Sequence, residues 1–392
     1  MAVTTQTAEQ ALKIVYKGVV TEQLNISTNP LYNYIGSSTK DISGKEVRKM
    51  APYGVNGGVG ADAETAALPV PGGNNYIQFV SELKNLYGTI RISDKSIKAS
   101  RNDVGAFVRL LSQELEGLMR AAKFNYGRQL FTDGRGALTN LLINTAVNLL
   151  EVVSTQFLIE GMIIDIRQQS DGALVAGGGT RRVLAVDRVN RRILIDGAPI
   201  TTTTAHMVTV QGSFNQELTG LAAIFQSSGT LYGVNRAQHF WMIPQMRTGT
   251  GLISDIKIQR PIDDLDEIMG SKVDYISTAS GVRRSYQQYM EATKRTVNTM
   301  DLKGGFTALS YNGIPMVNDR FMPAGAMKLL NTKEFTFHQM GDWDWMDDDG
   351  RVLKQVPGFP IWTASLVKYA ELVCDHPGGQ GMLTGITEET GV

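Results

Sequence analysis

The spacing of apolar positions changes along this chain, and each change marks a part. From about Asp103 to Phe131 apolar residues recur at Val104, Phe107, Val108, Leu111, Leu115, Leu118, Ala122, Tyr126 and Leu130. Steps of three and four form the stripe of an amphipathic helix. At ~1.5 Å per residue such a helix is roughly 43 Å long, well beyond the usual three or four turns. Ser100 and Asp103 predict a capping box at its start, and Thr132-Asp133-Gly134 supplies the turn that stops it. Gly105, Gly117 and Gly127 argue against a straight, unbroken rod, at about 1 kcal/mol each relative to Ala.

The segment before the helix has a different character. Residues 54–75 are punctuated by Gly and Pro and carry few bulky side chains, whereas residues 76–92 read as extended. Tyr76, Phe79, Leu83, Tyr87, Ile90 and Ile92 are the apolar supply of that extended stretch. A thin arm followed by a long rod has a poor ratio of volume to surface. Such a shape buries apolar area efficiently only against other molecules. Further upstream, Ala8, Leu12, Val15 and Val19 predict a short amphipathic helix, and Pro30, Leu31, Tyr32 and Tyr34 are candidate anchors. Residues 1–50 read either as a tail or as a strap across a neighbour.

Period-two runs follow the helix. Residues 161–167, 182–187, 193–196 and 207–211 are short β-type runs separated by Asp171-Gly172, Gly177-Gly178-Gly179, Asp187–Asn190 and Asp196-Gly197. Close strands with no helix between them predict a small antiparallel barrel or sandwich. After Leu218 the pattern returns to mixed α and β. A helix is expected around Pro261 and the following IDDLDEIM, with Gly270 as its stop, then a strand at 273–278 and a helix at 281–296. Strands are expected at 326–330, 334–340, 351–355 and 366–374, completing a sheet beneath the long helix.

Composition narrows the function more by exclusion than by assertion. The 392 residues carry 38 Lys plus Arg against 38 Asp plus Glu, so the net charge is zero. A protein that gripped phosphates would be basic, so contact with nucleic acid would be lining rather than gripping. Charged residues make up 19% and Gly numbers 41, which suits turns, hairpins and close backbone contacts. A lone cysteine, Cys374, excludes an internal disulfide and fits a reducing compartment. No run of apolar residues is long enough to span a bilayer, and the N-terminus lacks the features of a secretory signal.

Motifs for chemistry are weak. Asp342, Asp344, Asp347, Asp348 and Asp349 invite a hard-cation reading, but a loop counted from Asp342 has Met346 at position 5, Asp347 at position 6 and Leu353 at position 12. That fails the EF-hand pattern, and an acidic hairpin tip is the better reading. The glycines at 57–60 and 177–179 lack the context of a phosphate cradle. His206, His239, His338 and His376 are scattered, and no Gly-x-Ser-x-Gly elbow occurs. Arg283-Arg284 and Lys294-Arg295 form a modest basic patch, read as surface or as subunit salt bridges. No enzyme, cofactor or metal is expected.

The order of elements resembles the major capsid proteins of tailed phages, the Hong Kong 97-type fold. The resemblance rests on residues 92–138, with Ile92-Ser93-Asp94-Lys95 leading into the helix and Asp133-Gly134-Arg135-Gly136-Ala137-Leu138 leaving it. Leu218–Leu221 and the strand-turn-strand phrase Ser310–Val317 are further echoes, and the match spans roughly residues 20–385. It implies an α+β fold with an N-terminal arm (1–53), an E-loop hairpin (54–92), and a spine helix with the first part of a peripheral domain (93–147). A β-rich insertion domain (148–214), absent from the minimal fold, follows. The rest divides into a second peripheral part (215–235), an axial domain (236–320) and a third peripheral part (321–392). Leu68, Val70, Tyr76, Phe79, Leu83, Lys84, Tyr87, Arg283 and Arg284 are then candidates for contacts between subunits. The resemblance further implies hexamers and pentamers in an icosahedral shell around double-stranded DNA, with weak non-specific DNA contact. A separate scaffolding protein and a portal are the other implied partners, and the setting is a virion assembled in the bacterial host cytoplasm, with no membrane. An encapsulin-like compartment is the alternative within the fold. A metal-dependent hydrolase using residues 342–349, or a carbohydrate-binding role for residues 148–214, stand outside it.

Overall fold

One helix, α1 (Val104–Gln129), runs 26 residues without a break, about 39 Å at the standard rise. The structure, a computed structural model, describes residues 29–64, 67, 70, 72–95, 104–293, 299–302, 306–347 and 350–389. The expected helix near residues 8–19, the capping box at Ser100 and Asp103, and Lys294-Arg295 lie outside the described residues. Leu115, Met119, Ala122 and Tyr126 of α1 are buried, as the apolar stripe requires. The helix continues through Gly117 and Gly127 because its buried face is held by packing, which outweighs the local cost of glycine.

Beneath α1 lies a six-stranded sheet organised on one long strand, Ile361–Cys374. Lys84–Ser93 pairs antiparallel to it, from Lys84 opposite Ala370 to Ser93 opposite Ile361. Phe335–Gln339, Asp344–Trp345 and Lys354–Gln355 follow one another along its other edge, and Gly36–Ser38 adds in parallel beyond Phe335–Gln339. Leu86, Gly88, Ile90 and Ile92 alternate inward. At Gly88 a Cβ would lie 3.1 Å from Leu118 Cδ1, so glycine lets the helix settle on the strand. Upstream, Leu31 is buried, Tyr32 stacks on Phe337 at 4.6 Å and Tyr34 packs on Tyr275 at 5.0 Å, so the expected anchors hold residues 29–35 against this chain's own body.

A second six-stranded sheet follows the helix, in the order Ala137–Asn140, His206–Val210, Ile163–Gln168, Arg181–Asp187, Arg192–Ile195 and Leu149–Glu151. A two-stranded ribbon of Asn144–Val147 and Ile200–Thr202 accompanies it. This β-unit has a core of its own, with Leu150, Ile164, Ile166, Val183, Ile193 and Val208 among its members; Phe157 and Met162 pack against both this core and the main one, and Ile159 against the main one. The four expected runs are four of its strands. The unit begins at Ala137 rather than at 148, because Ala137–Asn140 pairs with His206–Val210 and closes it. Its entry and exit adjoin, with the Asn215 N–H donating to Arg135 O at 3.1 Å.

The third sheet has seven strands: Gln245–Arg247, Gly381–Leu383, Met327–Leu330, Tyr275–Thr278, Ile314–Asn318, Phe306–Tyr311 and Thr299–Leu302. Helices α2 (Asp255–Met269) and α3 (Ser280–Thr293) accompany it. Pro261 lies inside α2 rather than at its start, since Ile258, Pro261 and Leu265 fall on one buried face. Gly270, at φ +65°, ends α2 as expected, its N–H donating to Asp266 O. Residues 326–330, expected in the sheet under α1, belong here instead. Met327–Leu330 is buried along its whole length between Tyr275–Thr278 and Gly381–Leu383. Of the expected strand at 351–355 only Lys354–Gln355 is paired. Among the described residues no helix is long and apolar enough to cross a membrane.

Candidate assembly surfaces

Glu46–Tyr53 and Asn75–Glu82 form a hairpin, paired from Glu46 opposite Glu82 to Tyr53 opposite Asn75. Alternation gives it two unlike faces. Val47, Ala51 and Phe79 point inward and are buried, whereas Met50 and Tyr76 point outward and are more than half exposed. The inward face rests on an aromatic shelf. Phe79 lies 5.5 Å from Tyr232 and 6.1 Å from Trp241, and Tyr53 stacks on Trp241 at 5.7 Å with the rings nearly parallel. The Val80 N–H donates to Tyr232 O at 2.9 Å, and Lys49 Nζ meets Asp375 Oδ2 at 2.7 Å.

Beyond Tyr53 and before Asn75 the described residues lie outside the ladder. Val55, Val59 and Val70 are 85%, 88% and 83% exposed there, so the tip carries apolar side chains that the described residues leave in water. Its two limbs touch at Gly72, where a Cβ would lie 2.6 Å from the Gly57 nitrogen, a spacing only glycine allows.

The candidate contact residues divide accordingly. Val70, Tyr76 and Tyr87 are exposed, Tyr87 on the outer side of Lys84–Ser93. Phe79 and Leu83 are 1% and 6% exposed and are committed to the chain's own core, Phe79 on the inward side of its strand and Leu83 at the junction between Asn75–Glu82 and Lys84–Ser93. Lys84 is half-buried and donates to Asn215 O at 3.2 Å. Arg284 is exposed on α3, its Nε donating to Glu389 O at 3.2 Å, and Arg283 beside it is half-buried. Leu68 lies outside the described residues. The hairpin's first strand, Glu46–Tyr53, falls in the stretch read as arm. Its alternation is hard to see in sequence because Lys49 occupies an inward position, satisfied by Asp375. Lys84–Ser93, read as part of the hairpin, belongs to the sheet under α1.

A second surface lies where α1, Lys84–Ser93 and the β-unit meet. Two adjoining clefts of about 290 and 270 Å³ share Tyr87, Asn125, Tyr126 and Val210. The larger has an apolar wall of Leu118, Ala121, Phe124, Met162 and Ile163. Tyr126 donates its hydroxyl to Tyr87 O at 2.8 Å, and burial pushes that hydroxyl's pKa well above the ordinary tyrosine value. Nothing in either lining forms a nucleophile with an acid or base.

Charged side chains inside the molecule hold its parts together. Arg128, at the end of α1, and Glu217, just after the β-unit, are buried together, with Nη1 donating to Oε2 at 2.8 Å. Glu371 is fully buried; its Oε1 accepts the N–H groups of Thr219 and Leu372, and burial pushes its pKa up to about 7. The acidic run near residue 342 is partly engaged, with Asp342 Oδ1 3.2 Å from the buried Lys368 Nζ. Among the described residues no three His, Cys, Asp or Glu side chains converge as metal ligands would.

No family model and no curated protein matches this sequence. Solved structures do match. A chain of the cyanophage A-1(L) capsid asymmetric unit superposes with a TM-score of 0.53 at 12% identity, covering 94% of this chain and 92% of that one. The chain has the Hong Kong 97-type capsid fold. The holo-SrpI encapsulin of Synechococcus elongatus PCC 7942 gives 0.49 at 8% identity over 93% and 91%, and the capsid of Myoviridae phage XM1 gives 0.44 at 9% over 91% and 90%.

Proposed function

We propose that this chain is the major shell subunit of a tailed phage or prophage head, self-assembling into an icosahedral capsid around double-stranded DNA. The observation that carries the reading is the end-to-end likeness to a cyanophage capsid chain in a molecule whose hairpin tip is apolar and uncovered. The role is mechanical rather than catalytic. The hairpin of residues 46–82 serves as the E-loop and lies on an adjacent subunit, where Val55, Val59 and Val70 bury apolar area that they cannot bury at home. Met50, Tyr76 and Tyr87 extend the contact along the outer face, and Arg284 contributes at the third sheet. Each contact is small, and closure over many copies makes the shell stable.

Hexamers and pentamers, a separate scaffolding protein and a portal are the partners this reading requires. The zero net charge suits an inner wall that lines packaged DNA with weak, non-specific contact. The test is electron microscopy of the purified protein, with and without a co-expressed scaffold. Closed particles of uniform diameter are expected. A monodisperse monomer under both conditions, up to high concentration, would overturn the reading.

A further inference from the structure

Two short crossings, Asn331–Glu334 and Asp375–Gln380, carry the chain side by side between the sheet under α1 and the seven-stranded sheet. The same two stretches of chain run side by side through both sheets. Met327–Leu330 pairs with Gly381–Leu383 in one, and Phe335–Gln339 pairs with the end of Ile361–Cys374 in the other. Between the sheets the backbone ladder runs out after the Asp375 N–H donates to Glu334 O at 2.8 Å. From there side chains take over.

One carboxylate collects most of those bonds. Glu334 Oε1 accepts from Ser271 Oγ at 2.9 Å and from Asn331 Nδ2 at 3.1 Å, and Oε2 accepts from Gln380 Nε2 at 2.6 Å. His376 Nδ1 stands 3.4 Å from Oε1. Gln380 Oε1 in turn accepts the Asn331 N–H at 3.0 Å, and Asp274 accepts the Thr332 N–H and hydroxyl at 2.7 and 2.8 Å. The crossing is pressed against the end of α2: at Gly379 a Cβ would lie 2.7 Å from Ser271 Cβ. Both crossings, the cap of α2 and the approach to Tyr275–Thr278 therefore converge here. The hairpin is tied in as well, since Lys49 grips Asp375, whose own N–H is the last rung of the ladder.

We infer that Glu334 is the pin of a pivot between the two sheets, and that Lys49–Asp375 couples the lean of the hairpin to it. A continuous backbone ladder resists a change of angle, because every rung would have to shift together. A junction held by rotatable side chains about one carboxylate turns without breaking either sheet. This rests on the shell reading for its use: one chain must fit differently curved positions in a closed surface. The geometry itself belongs to the single subunit.

The test is hydrogen exchange on the unassembled full-length subunit carrying Glu334→Ala. Peptides over 331–335 and 375–381 are expected to exchange about tenfold faster, while those over 275–278 and 364–370 keep their native rates. Lys49→Ala is expected to speed exchange over 46–53 and at 375 without touching 331–333. Unchanged rates at both crossings, or acceleration spread evenly through both sheets, would overturn the pivot. Should Glu334→Ala not fold, Glu334→Gln keeps one acceptor and meets Gln380 with a second donor, so the same local pattern is expected at smaller amplitude. Because exchange is read before assembly, a chain that never forms shells overturns the proposed function and leaves this result to stand or fall by itself.

Discussion

The hairpin of residues 46–82 and the β-unit of residues 137–214 are both antiparallel β, and they deal with burial in opposite ways. The β-unit closes on itself: Leu150, Ile164, Ile193 and Val208 are fully buried in a core separate from the rest of the molecule. The hairpin has one face only, borrows Tyr232 and Trp241 to cover its root, and leaves its tip bare. Two long strands with the two-residue strand Ile42–Ser43 at their edge are marginal alone in water, whereas six with a filled interior are not. The β-unit's fold is thus complete within the subunit. The hairpin's tip stays in water in the subunit as described.

The largest effect is expected where the β-unit is fastened to α1. Glu217→Ala leaves the buried Arg128 guanidinium without its counter-charge, with Asn125 Oδ1 still accepting from Nη2, and denaturant unfolding should show a loss of roughly 3–5 kcal/mol. Inside the β-unit, Ile193→Ala should cost about 2–5 kcal/mol, and hydrogen exchange should rise within 137–214 while the sheet under α1 stays protected. Equal loss of protection in both sheets would erase the comparison.

Titration sharpens the same boundary. Glu371 meets the chain leaving the β-unit, and its folded pKa of about 7 lies above the ordinary 4.5. A raised carboxyl contributes stability that is fully present below pH 4.5 and lost as pH rises through 7. At ~1.4 kcal/mol per unit this amounts to about 3 kcal/mol. Urea titrations at pH 4.5 and 7 should register that fall, and Glu371→Gln should flatten it. Smaller still, Gly117→Ala in α1 meets nothing within 4 Å and should raise stability by about 1 kcal/mol in thermal unfolding.

How much of this was legible in the sequence follows the same division. The β-unit's runs at 161–167, 182–187, 193–196 and 207–211 stand out because apolar alternation and Asx-Gly turns act locally. Its first strand, Ala137–Asn140, does not, since it is only four residues long and pairs with a partner nearly seventy positions away. α1 was plain from its stripe. The hairpin's root was not: Lys49 breaks the alternation, and the shelf of Tyr232 and Trp241 comes from a distant segment. For that reason Phe79 and Leu83 look like contact residues in the sequence and are core residues in the fold. Likewise Glu334 draws no notice in the sequence, because its four partners come from three separate stretches of chain.

The direct test of the claim that the hairpin is finished by another subunit is to charge its tip. Val55→Asp, Val59→Asp and Val70→Asp together should change monomer stability by less than about 0.5 kcal/mol, since all three side chains are already in water. Cryo-electron microscopy of this variant beside the unaltered protein is expected to show closed shells from the latter and none from the former. Shells of normal size and yield from the charged variant would contradict the account.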